Sequence, residues 1–164
     1  MDDDGQIFRL NPDEHRARAD AEQLYRSVSQ RLIRLLPTGS EIMHVGATAI
    51  PGCLTKGNLD IMVRVDSDEF GEADRALASL FTRSLAVRES TFAAFEDPGS
   101  TLHLGIHLVA RGSAYDVFEK FRDRLNASPA LLREYNALKR EYDGAPMVQY
   151  QSARDRFILR SLRY

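Results

Sequence analysis

The residues best suited to chemistry lie in one stretch, His44 to Val65, where Gly46, Thr48, Lys56 and Asp60 surround the turn dipeptide Pro51-Gly52. A glycine followed closely by a hydroxyl residue lets backbone N–H groups approach an anion, and Lys56 adds positive charge to the same mouth. That composition suits a phosphate site. It is not a P-loop, because five residues separate Gly46 from Gly52 and no Lys-Ser/Thr pair follows at once. A tight turn between two strands accounts for the same residues, and Gly/Pro turns are far commoner than anion sites.

The flanking segments must hold this mouth. Glu41 to Val45 is short and mostly apolar, and from Leu59 to Val65 apolar character returns. Alternation puts Leu59, Ile61, Val63 and Val65 on one face and Asp60, Met62 and Arg64 on the other. Asp60 therefore points away from the packed face. Leu102 to Val109 alternates in the same way, with His103, Gly105 and His107 sharing a face. Weaker strand patterns surround Leu85-Val87 and Phe92-Phe95.

Helical spacing accounts for most of the remainder. Residues 12–36 read as a long helix with Ala17, Ala21, Leu24, Val28, Leu32 and Leu35 inward, begun by Asn11-Pro12-Asp13-Glu14 and stopped by Pro37 and Gly39. Asp66 or Ser67 is expected to cap a helix running to about residue 81. A further helix should begin at Ser113, with Ser113 and Asp116 forming a capping box. Ser128 and Pro129 open the next, and Tyr150, Ala153, Phe157 and Ile158 form the stripe of the last, extended one turn by Leu162. Arg122 follows Phe118 by four residues and Lys139 follows Tyr135 by four, so each cation lies at the edge of an inward stripe. Either could turn toward a pocket or snorkel into water.

The chain has 164 residues, 43% hydrophobic and 28% charged, which suits one domain with a proper core, and residues 1–10 are open to disorder. A net charge of −2 recruits neither nucleic acid nor an anionic membrane. Cys53 is the single cysteine, so an internal disulfide is excluded and a reducing, cytoplasmic setting is expected. Met1-Asp2-Asp3-Asp4 is acidic where a signal peptide would be basic, and no apolar run reaches membrane-span length.

His44-Val-Gly-Ala-Thr-Ala-Ile-Pro-Gly52, then Lys56 and Leu59-Asp-Ile-Met-Val63, resembles the signature of the GrpB-like family of the nucleotidyltransferase superfamily. That signature usually reads Gly-Ser-Thr-Ala-(Val/Ile)-Pro-Gly, then Lys-Pro, two apolar residues and Asp-Ile. Here Ala47 replaces the serine, Gly57 the proline and Asn58 an apolar residue. His103 to Val109 is similar to the family's His-rich strand, and Phe121-Arg122-Asp123-Arg124-Leu125 with Pro129, Tyr135, Leu138 and Lys139 is similar to a downstream block. Tyr150, Phe157 and Ile158 resemble the closing motif, with Arg154 in a lysine place.

The resemblance implies an α+β nucleotidyltransferase-like fold: a mixed sheet from residues near 41–45, 58–65, 84–96 and 101–110, flanked by helices. It implies a nucleotide or other phosphorylated ligand, with Gly46, Thr48 and Lys56 as its binding residues and Arg122 and Lys139 in an anion-binding or structural ionic role. Asp60 is the implied catalytic carboxylate and holder of a divalent metal (magnesium, manganese or zinc). The superfamily usually places a second acid two residues on, and here that position is Met62, a poor ligand for a hard cation. His103 or His107 could join Asp60, but four residues of regular strand part them by about 13 Å, so at most one should. The missing acid sets a metal-dependent transferase against a second reading, a non-catalytic binding module on the same scaffold.

Overall fold

The computed structural model describes residues 6–97 and 99–163. Helix α1, Glu14–Leu35, is capped by Asp13, whose carboxylate accepts from the Arg16 N–H, and it buries Ala17, Ala21, Val28 and Leu32. Strand β1, Glu41–Val45, leads through a short 3₁₀ turn, Ala47–Ala49, and an irregular loop to β2, Leu59–Val65. After a second 3₁₀ turn come α2 (Phe70–Leu80), β3 (Thr82–Glu89), β4 (Phe92–Glu96) and β5 (Leu104–Ala110), then α3 (Phe118–Ala127), α4 (Pro129–Tyr142) and α5 (Met147–Ser161). The expected strand near 84–96 is thus two strands folded on a turn, and the one near 101–110 begins at Leu104.

The five strands form one mixed sheet in the order β1-β2-β5-β4-β3, parallel only between β2 and β5. Apolar side chains cover both faces. On one, Leu59, Ile61, Val63, Leu104, Ile106 and Leu108 pack beneath α1 and α2 in the main core. On the other, Met62 lies fully buried with Val45, Phe92 and Val109, next to Tyr115 and Phe118. A third cluster joins α3, α4 and α5 to Ile50 and Cys53 of the loop. This last contact fixes the loop to the helical layer.

Three expectations are corrected at the ends of elements. The helix after β5 starts at Phe118 rather than Ser113, because Asp116 is engaged by Arg64 and by the Gly112 N–H instead of capping. Neither Asp66 nor Ser67 caps by its side chain: Asp66 holds Arg111 and leads into the 3₁₀ turn. The last helix ends at Ser161, with Leu162 as its C-cap. Ser128 does cap α4, accepting from Leu131 N–H with Pro129 in the first turn.

Of residues 1–10, which the sequence leaves open to disorder, 6–10 are packed on the fold and 1–5 lie outside the described residues. Phe8 is buried against Tyr150 with ring centroids 3.7 Å apart, and its N–H and carbonyl bond to Ala145 and Gly144. No helix among the described residues is long and apolar enough to cross a membrane.

Candidate functional site

Asp60 stands in a cross-sheet row Val45–Asp60–Gly105–Glu96, and the next row along is Met43–Met62–His107–Ala94. Residues opposite one another in a sheet share a face, so Gly105 leaves the Asp60 carboxylate room on the β5 side. A Cβ on Gly105 would lie 3.1 Å from Asp60 Oδ1, and one on Gly46 would lie 2.6 Å from Oδ2. The carboxylate therefore sits in a cradle of two glycines. Gly46 meets this demand at φ 77°, ψ −173°, a region essentially restricted to glycine.

His107 Nε2 stands 3.4 Å from Asp60 Oδ1, and its ring stacks on Phe118 at 4.7 Å. Burial opposes ionisation of Asp60, but the His107 contact and the charges of Arg154 and Lys56 outweigh it, so the carboxyl titrates below the usual range. About a third of the Asp60 side chain remains exposed, 32%, so this ionised group stays open to a ligand.

A metal fits the site poorly. The buried Nδ1 of His107 has no hydrogen-bond partner among the described residues. Ligating a metal through Nε2 would put the ring proton on Nδ1 and leave a buried N–H without the acceptor that metal-bound histidines normally have. Met62 supplies no oxygen, and no group of three metal-ligating side chains converges among the described residues.

The other expected residues separate. His103 is exposed and precedes β5, its carbonyl accepting from Leu59 N–H, so it does not share the row of Asp60 or His107. The Thr48 side chain is 2% exposed and turned inward, its hydroxyl 2.9 Å from both His44 Nε2 and the Asn58 carbonyl. That hydroxyl is committed to the protein rather than to a phosphate. Lys56 is exposed at the mouth, with Nζ 3.9 Å from Met147 Sδ. Arg122 donates to the His44 carbonyl at 3.0 Å and pairs with Asp123. It lines an open cleft of about 670 Å³ with Arg18, Glu22, His44 and Thr48.

Lys139 lies inside the fold rather than at the mouth. It is 3% exposed, donates to Tyr150 Oη at 2.7 Å, and lies over the rings of Phe8, Tyr135 and Tyr150. Its ammonium is enclosed by aromatic faces. Two contributors were missed by sequence reasoning. Arg154, visible only as a cation in a lysine position, acts on Asp60. Glu22 looks like any polar residue of α1, yet its Oε2 lies 3.0 Å from His44 Nδ1.

A mixed sheet whose second strand carries an acid after the glycine-bearing loop, with helices on both faces, is a nucleotidyltransferase-like fold. The chain belongs to the GrpB family, whose model matches residues 14–163 under the description GrpB protein. A UPF0157 protein of Vibrio cholerae is 34% identical over 146 residues, covering 88% of this chain and 77% of its own. A second, from Streptomyces coelicolor, is 30% identical over 136 residues, covering 79% and 71%. The crystal structure of GrpB from Enterococcus faecalis superposes with TM-score 0.70 at 17% identity, covering 87% of this chain and 93% of that one. Cid1, described for its RNA terminal uridylyl transferase activity, shares the fold at TM-score 0.53 and 12% identity, covering 79% of this chain and 41% of Cid1.

Proposed function

We propose that this protein binds a nucleotide or another phosphorylated, hydroxyl-bearing small molecule at the Gly46–Asp60 mouth and does not transfer a nucleotidyl group. The observation that carries the reading is the ionised, part-exposed Asp60 with the charges of Lys56 and Arg154 bearing on it. The cations suit phosphate oxygens, and Asp60 suits a sugar hydroxyl as donor. Met62, fully buried where the second acid would stand, removes the paired carboxylates on which two-metal transfer depends. The reading needs no resident metal, so any magnesium arrives with the ligand's phosphates.

The test is a thermal-shift titration with ATP, GTP, CTP and UTP, each with magnesium, with manganese, with zinc and with EDTA, alongside an assay for pyrophosphate release. A ligand at a hundred times its dissociation constant adds about 2.7 kcal/mol, several degrees for a domain of this size. A shift that persists in EDTA, falls in Lys56→Ala and Asp60→Ala, and occurs without pyrophosphate release supports the reading. Pyrophosphate release in magnesium or manganese would replace it with a transferase, and no shift at millimolar nucleotide would overturn it.

A further inference from the structure

His44 pairs with Ile61 across β1 and β2, so its ring lies on the face opposite Asp60, stacked on Tyr25 of α1 at 5.3 Å. Three hydrogen bonds run in series from it. Nδ1 meets Glu22 Oε2 at 3.0 Å, Nε2 meets Thr48 Oγ1 at 2.9 Å, and that hydroxyl meets the Asn58 carbonyl at 2.9 Å. His44 and Thr48 are both buried, so the bond between them is shielded from water.

A proton count exposes a constraint. Thr48 has one hydroxyl hydrogen, and the Asn58 carbonyl can only accept. If Thr48 donates to Asn58, then Nε2 must carry a proton to donate to Thr48. With Glu22 ionised, Nδ1 must carry one as well. All three bonds therefore coexist only when the Glu22–His44 pair holds one proton beyond the neutral imidazole. When that proton leaves, Nδ1–H keeps its bond to Glu22, Nε2 becomes an acceptor, and the Thr48 hydrogen is drawn to it. The Asn58 carbonyl then loses its donor.

The Thr48–Asn58 bond joins the first turn after β1 to the residue before β2, closing the base of loop 46–58. We propose that Glu22, His44 and Thr48 form a proton-controlled tie on this loop, complete when the Glu22–His44 pair is protonated and open when it is not. The consequence for ligand binding rests on the reading that the loop carries the ligand site; the tie itself does not. Facing His44 are Glu22 and Tyr25 from α1 and Thr48 from the turn, Arg122 from α3 donates to its carbonyl, and the charge of Asp60 reaches it from the other face of the sheet. Burial pushes the imidazole down, Glu22 and Asp60 pull it up, Arg122 pushes it down again, and the net is below the usual histidine value. The tie is thus expected to close on the acid side of about pH 6.5.

The test follows the His44 ring nitrogens by NMR from pH 4.5 to 8 together with hydrogen-exchange protection factors of amides in 46–58, in wild type, Thr48→Val, Thr48→Ser and Glu22→Gln. In wild type, protection of the loop falls about three- to tenfold as His44 loses its proton, the range that one hydrogen bond supplies. Thr48→Ser keeps this profile, Thr48→Val is low and flat, and Glu22→Gln moves the midpoint to lower pH. A flat wild-type profile, or one unchanged in Thr48→Val, overturns the tie. ATP titrations at pH 5 and 8 separate the two readings. Absence of ATP binding with the exchange profile intact removes the nucleotide site and leaves the tie, whereas pH-independent loop protection with ATP bound removes the tie alone.

Discussion

The backbone of Gly46 presses so closely on the carboxylate of Asp60 that a Cβ at Gly46 would stand 2.6 Å from Oδ2. The turn and the acid therefore form one unit, each limiting what the other position can be. Gly46→Ala is expected to cost more than about 2 kcal/mol, through both the strained backbone region and the clash. Asp60→Ala in the same background should return only the carboxylate's share of the clash, because φ 77° disfavours alanine whatever lies opposite. Urea denaturation of the two single variants and the double variant measures the coupling; simple additivity would mean the two residues do not constrain each other.

Met62 occupies the position where a paired acid would complete a metal site, but its side chain is fully buried among Val45, Phe92 and Val109. Met62→Asp is therefore expected to destabilise by about 3 kcal/mol or more, as an uncompensated buried charge does. It should not create magnesium affinity. Calorimetric titration of the variant with magnesium, beside a denaturation curve, checks both parts. A folded variant that binds magnesium would show that the cluster opens easily.

The sequence carries the strand–turn–strand unit clearly, since alternation in Leu59–Val65 and the break at Gly46 and Pro51-Gly52 follow from local geometry. The resemblance across 44–158 anticipated the sheet and its helices. Partners brought together only by tertiary packing were hidden. Glu22 gives no sign of reaching His44, because a polar residue on a helix reads as solvated. Lys139 points inward because Phe8, Tyr135 and Tyr150, from three separated segments, build an apolar box that takes its ammonium. His103 fell out of register because β5 begins one residue after it. The two faces of the sheet also misled: Asp60 does leave the main core, yet its neighbour Met62 enters a second one.

Acid lability should arise in part far from the candidate site, at Asp74. Arg83 donates to both its oxygens, at 2.8 and 2.9 Å, and Arg88 adds a third bond at 3.2 Å. The Arg83 hydrogen bonds lower the Asp74 pKa, burial opposes them, and the charges of Arg83 and Arg88 complete a net depression. A carboxyl with a folded pKa below its unfolded value of about 3.9 stabilises the fold above that value and loses this contribution as pH falls through the folded pKa. Asp74→Asn should thus lower stability by about 2 kcal/mol near neutrality, the scale of a charged hydrogen bond lost, and flatten the decline below about pH 4. Melting temperatures from pH 3 to 7 test this; parallel curves for wild type and variant would show that Asp74 does not drive the acid limb.

Lys139 and Phe8 make a prediction about how the described N-terminal segment is held. The ammonium donates to Tyr150 and lies beneath rings on several sides, with Phe8 stacked on Tyr150 as one wall. Replacing a buried cation with an apolar side chain of similar length loses cation–π attraction but also removes its desolvation cost. Lys139→Met is expected to stay within about 1 kcal/mol of wild type, whereas Phe8→Ala, which opens the box and leaves the charge in place, should cost about 3 kcal/mol or more. Combining them should recover part of the Phe8→Ala loss, because the exposed cavity then holds no ammonium. Denaturant midpoints of the four proteins decide it. Equal losses from Lys139→Met and Phe8→Ala would mean that the cation, rather than ring packing, holds residues 6–10 against α4 and α5.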